Sequence, residues 1–213
     1  MPIPLMPMPM SSRCEQALVF ATQLHKEQRR KGSGVPYISH LLAVTALVIE
    51  HGGDEDEAIA ALLHDAIEDQ GGPLAREEIR RRFGGRVTEI VVGCTDSETI
   101  PKPPWKERKR AYIARLGEAS ASVRLVSAAD KLHNARSILN DHRTLGEEIW
   151  QRFAGRKEGT LWYYRSVLDV LSQAGKTPLV EELDRVVRQL EQLAARESDA
   201  GEPAAFNTGR ETG

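Results

Sequence analysis

The sequence has few cysteines, few aromatic residues and no long apolar run, and each shortage excludes a class of protein. Cys14 and Cys94 are its only cysteines, so it has no disulfide framework and no CxxC motif. Aromatic residues make up 5% of the chain, and this composition favours helices over sheets. No apolar run approaches the roughly 20 residues of a transmembrane helix. We therefore expect a cytoplasmic protein without a membrane partner.

The charges of the chain are almost balanced. Lysine and arginine together number 29 against 31 acidic residues, so the formal net charge is −2. Such a balance gives no general attraction to nucleic acid or to anionic lipid. We expect no nucleic-acid partner, and we expect any anion site to be local.

The two ends of the chain differ from its middle. All four methionines lie in the first ten residues, MPIPLMPMPM, where prolines interrupt any helix and no basic residue suggests a signal peptide. The last residues are polar and contain glycine and proline. We predict a disordered leader over residues 1–12, one folded domain over 13–196 and a disordered tail over 197–213.

Helical periodicity dominates the middle of the chain, and no strand-like alternation persists. The pattern predicts a first helix over residues 13–30. Asp54 and Glu57 have the spacing of a capping box and predict the start of a helix that ends at Gly71. The one long internal loop, residues 95–104, contains three prolines and is a candidate lid or substrate wall. The predicted fold class is all-α, in one domain.

Four ionisable residues end an apolar helix in the stretch ALLHDAIEDQGG. His64, Asp65, Glu68 and Asp69 would lie on one side of a continuous helix. The helix dipole disfavours carboxylates at this end, so positive charge is expected nearby. For this stretch alone, a solvated face in which His64 pairs with Glu68 is the simpler interpretation.

Further polar residues interrupt other apolar helices. Asp130 lies within VRLVSAADKLHNARSIL, with Asn134 one turn later on the same face, and His40 precedes the apolar residues LLAV. Taken singly, Asp130 is a solvated or hydrogen-bonded residue, and His40 and His133 are packing residues.

Taken together, these residues suggest a metal site. His40, His64, Asp65 and Asp130 offer two imidazoles and two carboxylates, a donor set suited to a divalent first-row metal. Mn²⁺ suits the carboxylates, and Fe²⁺ or Zn²⁺ would also fit these ligand types. A metal ion would supply the positive charge that the end of the helix needs.

The same residues resemble a known family. His64 and Asp65, with His40 upstream and Asp130 downstream, resemble the HD superfamily of metal-dependent phosphohydrolases. The blocks RRKGSGVPYISH, ALLHDAIED and AADKLHNAR are similar to the hydrolase domain of RelA/SpoT homologues, especially the stand-alone small alarmone hydrolases. The resemblance spans roughly residues 14–171. It implies a single-domain helical HD fold that uses Mn²⁺ to hydrolyse the 3′-pyrophosphate of ppGpp or pppGpp, releasing pyrophosphate and GDP or GTP.

The resemblance also implies a role for each matching residue. The implied metal ligands are His40, His64, Asp65 and Asp130. Glu68 and Asp69 match the acidic pair that orients or deprotonates the attacking water. The implied substrate contacts are Arg30 and Lys31 near the base, Lys102 at a phosphate, Asn134 at the nucleotide and Tyr163 near the ribose or base.

Two departures from the family fall near the expected base pocket. They are the glycine-rich loop KGSGVP and the segment after Lys102, which contains Trp105. The adenine alarmones ppApp and pppApp are therefore alternative substrates.

The chain has no room for the synthetase domain of long relatives, so we expect no alarmone synthesis. A broader HD phosphohydrolase and a non-catalytic alarmone sensor remain as alternatives. The run KERKR, residues 106–110, is interpreted mainly as a solvated helix face.

Overall fold

The structure is built from helices. It is a computed structural model that describes residues 10–200 except 32, 98 and 100, without the side chains of 196–200. Within these residues the only β-type pairing is an isolated bridge between Arg29 and Pro36. The predicted all-α, single-domain fold is confirmed. Residues 1–9 and 201–213, which include most of the predicted leader and tail, lie outside the described residues.

The helices follow one another through mostly short connections. Their bounds are α1 (Ser12–Leu24), α2 (Ile38–Glu50), α3 (Glu55–Leu63), α4 (Ala66–Gln70), α5 (Pro73–Phe83), α6 (Gly85–Cys94), α7 (Trp105–Glu118), α8 (Ala121–Leu145), a 3₁₀ helix (Gly146–Arg152), α9 (Arg156–Ala174) and α10 (Pro178–Ala200).

Helix α3 lies at the centre of the core because, after its acidic first turn, it is apolar on every side. Its residues from Ala58 to Leu63 are at most 2% exposed, and it packs against α1, α2 and α6. The predicted capping box is present at its start: the backbone N–H of Glu57 donates to Asp54 Oδ1 at 3.0 Å, and the backbone N–H of Asp54 donates to Glu57 Oε2 at 2.7 Å. Two N–H groups at the start of the helix are therefore satisfied.

Three helices meet where the polar residues of the sequence lie. Helix α2 packs against both α3 and α8, and α3 also contacts α8. Helix α2 carries His40, α8 carries Asp130, and His64 directly follows the last residue of α3. The packing of apolar faces therefore brings residues far apart in sequence to one place.

Helix α1 is shorter than the predicted 13–30. It ends at Leu24, and the ring of His25, 2% exposed, stacks on Tyr37 with centroids 5.4 Å apart. The chain then turns back, so that the N–H of Tyr37 donates to the carbonyl of Gln28 at 3.0 Å. These long-range contacts override the helical periodicity and place Arg30 in a loop.

The predicted continuous helix ending at Gly71 was also wrong. Helix α3 ends at Leu63, and α4 begins only at Ala66. Asp65 has φ −97° and ψ −2°, in the sparsely populated region where many active-site residues lie. The break lets the Asp65 carboxylate approach the ring of His64. A continuous helix would direct this carboxylate elsewhere.

The capping box gives a prediction about stability. Asp54→Ala removes the acceptor for Glu57 and should lower the free energy of unfolding by about 1 kcal/mol. For a chain of this length that corresponds to a fall in Tm of about 2–4 °C, measurable by thermal unfolding followed by circular dichroism. Asp54→Asn keeps a capping oxygen and is the matched control. An alanine variant that melts at the wild-type temperature would contradict the assignment.

Candidate active site

The four residues predicted as metal ligands converge on one buried point. His40 Nε2 lies 3.3 Å from Asp130 Oδ1 and 3.6 Å from Asp65 Oδ2. His64 Nε2 lies 3.1 Å from Asp65 Oδ2 and 3.7 Å from Asp130 Oδ1. Both imidazoles are almost fully buried. The structure thus brings together two nitrogen and two oxygen donors from α2, α8 and the α3–α4 turn.

The donor atoms fit a divalent metal ion. The Nε2 atoms of His40 and His64 are buried and have no hydrogen-bond partner within the described part of the chain. Leaving such atoms unsatisfied is costly. Donor atoms of His40, His64 and Asp65 lie within 4.8 Å of one another, and Asp130 faces the two imidazoles. A cation at this point would satisfy all four groups, and the nitrogen and oxygen set is typical of first-row metals.

The ring of His64 is oriented for ligation. Its Nδ1 lies 2.7 Å from the carbonyl oxygen of Ala61. Because a carbonyl only accepts, Nδ1 carries the proton, and the lone pair of Nε2 is directed at the convergence point. Such a bond is the usual device that fixes the tautomer of a metal-binding histidine.

The ring of His40 is oriented by a second histidine. His40 Nδ1 lies 2.8 Å from His133 Nδ1, so one ring must donate and the other accept. If His40 ligates through Nε2, its Nδ1 donates and His133 Nδ1 accepts. Burial and the nearby charges of His40 and Arg30 lower the pKa of His133 to about 4, which keeps it a neutral acceptor at neutral pH. His133 is therefore more than a packing residue.

The two carboxylates are held in place and kept ionised. Tyr37 Oη donates to Asp65 Oδ2 at 2.6 Å, and Lys131 Nζ donates to Asp130 Oδ2 at 2.6 Å. Burial would raise the pKa of each carboxyl. The imidazole of His64 beside Asp65, and the ammonium of Lys131 beside Asp130, nevertheless hold both pKa values well below the usual range.

Glu68 and Asp69 lie beside this cluster, where the sequence places them. Glu68 Oε1 accepts from Lys102 Nζ at 3.0 Å, and its Oε2 accepts from the backbone N–H of Asp96 at 3.3 Å. Asp69 Oδ2 accepts from Gln28 Nε2 at 2.7 Å. Burial and the charge of Asp65 raise the pKa of Asp69, which makes its carboxylate a stronger base.

A cavity of about 450 Å³ adjoins the cluster, and its lining is cationic. This volume is within the usual range for a small-molecule site. Its lining contains seven arginine and lysine residues against four acidic ones, although the whole chain has a net charge of −2. The cavity therefore has the local excess of positive charge that an anion site would need.

Four of the five predicted substrate contacts lie on the cavity wall. Arg30, Lys31, Asn134 and Tyr163 line it. Arg30 Nη2 donates to Asn134 Oδ1 at 2.8 Å, and Asn134 in turn donates to the carboxylate of Asp130. Lys102 is not part of the lining and reaches the site through its contact with Glu68.

The interpretation of KERKR as a solvated face was wrong for Arg108 and Lys109. Their side chains are only 14% and 18% exposed, and both line the cavity. Both donate to Asp96 Oδ2, and the distance from Lys109 Nζ to this oxygen is 2.9 Å. Asp96 is buried and lies 12 residues before Arg108 in sequence, so no local pattern indicated the contact. Lys131, beside Asp130, is a third cavity cation that sequence reasoning missed.

The fold and the cluster together match a known family. The model of the HD domain family matches residues 17–160. The chain belongs to the HD domain family. An HD domain implies a divalent metal, which agrees with the cluster of His40, His64 and Asp65.

Named relatives support the resemblance to stand-alone alarmone hydrolases. The guanosine-3′,5′-bis(diphosphate) 3′-pyrophosphohydrolase MESH1 of Xenopus tropicalis is 42% identical over 126 residues, which cover 58% of this chain and 68% of the relative. The human protein of that name is 38% identical over the same shares. A solved structure, described as a metazoan orthologue of SpoT that hydrolyses ppGpp, matches with a TM-score of 0.72 and 28% identity, covering 86% of this chain and 98% of that one.

Among the described helices, none combines the length and the apolar character that crossing a bilayer requires.

The contact between His40 and His133 gives a prediction about metal affinity. His133→Phe removes the acceptor that fixes His40 and should weaken metal binding by about 10- to 100-fold. His133→Asn keeps an acceptor oxygen and should restore part of the affinity. The measurement is calorimetric titration of metal-free protein with Mn²⁺. Equal affinities for wild type and His133→Phe would show that the contact does not orient the ligand.

Proposed function

We propose that the protein is an alarmone hydrolase that removes the 3′-pyrophosphate of ppGpp or pppGpp with Mn²⁺ as its metal. The products would be pyrophosphate and GDP or GTP. The observation that carries this proposal is a buried donor cluster of two imidazoles and two carboxylates next to a cation-lined cavity. The relatives named for this reaction support the same substrate class.

Glu68 and Asp69 have different proposed roles towards the attacking water. A divalent ion held by His40, His64, Asp65 and Asp130 would lower the pKa of bound water towards neutrality and polarise a phosphoryl oxygen. Both oxygens of Glu68 already accept hydrogen bonds, which suits an orienting role. Asp69 has the raised pKa and accepts the proton of the attacking water.

Three partly buried cations, Arg108, Lys109 and Lys131, supply positive charge for the phosphates of the substrate. Lys109 and Lys131 lie close to the same ring, that of Tyr163. Burial and the neighbouring charge of Lys131 lower the pKa of Lys109. A phosphate between these cations would relieve their repulsion. Together with Arg108, whose planar guanidinium suits phosphate, they would stabilise the charge that develops on the departing pyrophosphate.

Arg30 and Lys31 remain the proposed neighbours of the base, since both line the cavity. Their loop departs from the family, so adenine alarmones belong in the same assay as guanine ones. We place the enzyme in the cytoplasm because Cys14 and Cys94 are both free thiols, as expected in a reducing compartment.

The proposal is tested by pyrophosphate release from ppGpp and pppApp in parallel, with Mn²⁺ and then with excess chelator. Release from either substrate should require the metal, and Asp130→Ala should lose both metal and turnover. Release at the full rate by metal-free protein would contradict the mechanism. Tight alarmone binding without release, in protein loaded with Mn²⁺, would indicate a sensor instead.

The assigned proton acceptor gives a further prediction. Asp69→Asn should lower kcat by about 10²- to 10⁴-fold, because the amide cannot take the proton of water. Its metal content should match that of wild type. Asp169→Asn, at an exposed position of α9, is the matched control and should behave as wild type. Near-normal kcat in Asp69→Asn would move the base role to Glu68.

A further inference from the structure

The early end of α1 places His25 and Gln28 behind the proposed proton acceptor. Helix α1 ends at Leu24, and the chain then turns so that Gln28 lies on the cavity wall beside Asp69. Gln28 and Asp69 are 41 residues apart in sequence, so no local pattern indicated their contact. The proposed chemistry uses Asp69 but neither of the two residues behind it.

The carboxylate of Asp69 is held by one side chain. Asp69 is exposed towards the cavity that it lines, so packing alone does not fix its direction. Its Oδ2 accepts from Gln28 Nε2 at 2.7 Å, and within the described residues no other side chain donates to it. Its other oxygen, Oδ1, is therefore left for the attacking water.

The amide of Gln28 has one orientation that suits this contact. An ionised carboxylate only accepts hydrogen bonds, so the amide atom that faces Asp69 must be the donor Nε2. Gln28 Oε1 then faces the opposite side, where it accepts from His25 Nδ1 at 2.6 Å and from Gln70 Nε2. A rotated amide would lose both of these bonds and would place its oxygen against the carboxylate. The two donors therefore lock the amide in the orientation that Asp69 needs.

His25 is a fixed donor in this chain of contacts. The residue is 2% exposed, and burial lowers the pKa of its ring, so the ring is neutral at neutral pH. Because Oε1 of Gln28 only accepts, the single N–H of the neutral ring is on Nδ1. Stacking on Tyr37, with centroids 5.4 Å apart, holds the plane of the ring.

Backbone contacts hold Gln28 itself. Its N–H donates to the carbonyl of His25 at 3.0 Å, and its carbonyl accepts from the N–H of Tyr37 at 3.0 Å. Tyr37 Oη also donates to Asp65 Oδ2 at 2.6 Å. The same loop thus supports a proposed metal ligand and the proposed proton acceptor.

We propose that Gln28 is a positioning residue that holds the Asp69 carboxylate in place for proton transfer, and that His25 fixes the orientation of Gln28. This inference rests on the proposed function, in which Asp69 accepts the proton of the attacking water. Gln28 Nε2 stays bonded to Oδ2 while that proton moves from water to Oδ1. The contacts between His25, Gln28 and Asp69 therefore affect the rate of the chemical step and not the binding of metal.

The test measures kcat and KM for pyrophosphate release by protein loaded with Mn²⁺, using whichever of ppGpp and pppApp wild type hydrolyses faster. Gln28→Leu is similar in size and keeps both backbone contacts, but it cannot donate to Asp69. It should lower kcat by about 10- to 100-fold, as expected when the support of a reacting group is lost. Its KM and its dissociation constant for Mn²⁺ should match those of wild type. Gln23→Leu, the same change at an exposed position of α1, is the matched control and should behave as wild type.

A second background separates positioning from a structural role. In Asp69→Asn the proton acceptor is gone, so adding Gln28→Leu should cause no further loss of kcat. Damage to the fold would instead lower kcat by the same factor in both backgrounds.

Two substitutions of His25 test the other end of the chain of contacts. His25→Phe keeps a ring against Tyr37 but removes the donor, so kcat should fall. The factor should be smaller than for Gln28→Leu, because Gln70 still donates to Gln28. His25→Asn places an amide N–H near the position of Nδ1 and should restore part of the lost kcat. This pair tests the inference even if Gln28→Leu fails to fold.

The outcomes separate this inference from the proposed function. Wild-type kcat in Gln28→Leu, or an equal loss in both backgrounds, would overturn the role of Gln28, while pyrophosphate release by wild type would leave the function standing. A raised KM with unchanged kcat would also overturn it, since Gln28 would then be a substrate contact. Wild-type kcat in His25→Phe would overturn the role of His25. Absence of release by wild type would instead overturn the function and the inference that rests on it.

Discussion

Two imidazole nitrogens that have no hydrogen-bond partner among the described residues face two ionised carboxylates in the protein interior. The rest of the site is arranged around that contact. It exists because α3 stops at Leu63, one residue before His64, and because α2 and α8 pack against α3. Asp65, which an uninterrupted helix would carry unfavourably in its last turn, instead faces both imidazoles. A divalent ion is the group that satisfies all of these atoms together.

Acidic and basic side chains occupy different parts of the cavity, although the net charge of the whole chain is close to zero. The acidic donors lie at one part of the cavity, and lysine and arginine side chains, most of them partly buried, line the remainder. Asp96 holds Arg108 and Lys109 in place, so these cations lose little freedom when an anion binds. A ligand that carries several phosphates would match this division between the metal cluster and the cations.

Sequence reasoning identified the cluster but not its supports. The metal-ligand pattern was recognisable in His40, His64, Asp65 and Asp130, because it depends only on the types of these residues and their order in the sequence. The break after Leu63 was not recognisable, since apolar periodicity continues across it. The contact of His133 with His40 and that of Asp96 with Arg108 depend on tertiary packing over 93 and 12 residues. The early end of α1 has the same origin in the stacking of His25 on Tyr37.

The most direct measurement of the central claim is anomalous X-ray diffraction from crystals grown with Mn²⁺. We predict one strong anomalous peak between His40 Nε2, His64 Nε2 and the carboxylates of Asp65 and Asp130. Its absence from crystals of Asp130→Ala would confirm the assignment of the ligands. A peak at another place in the chain, or none in crystals of protein that retains Mn²⁺ in solution, would contradict the account.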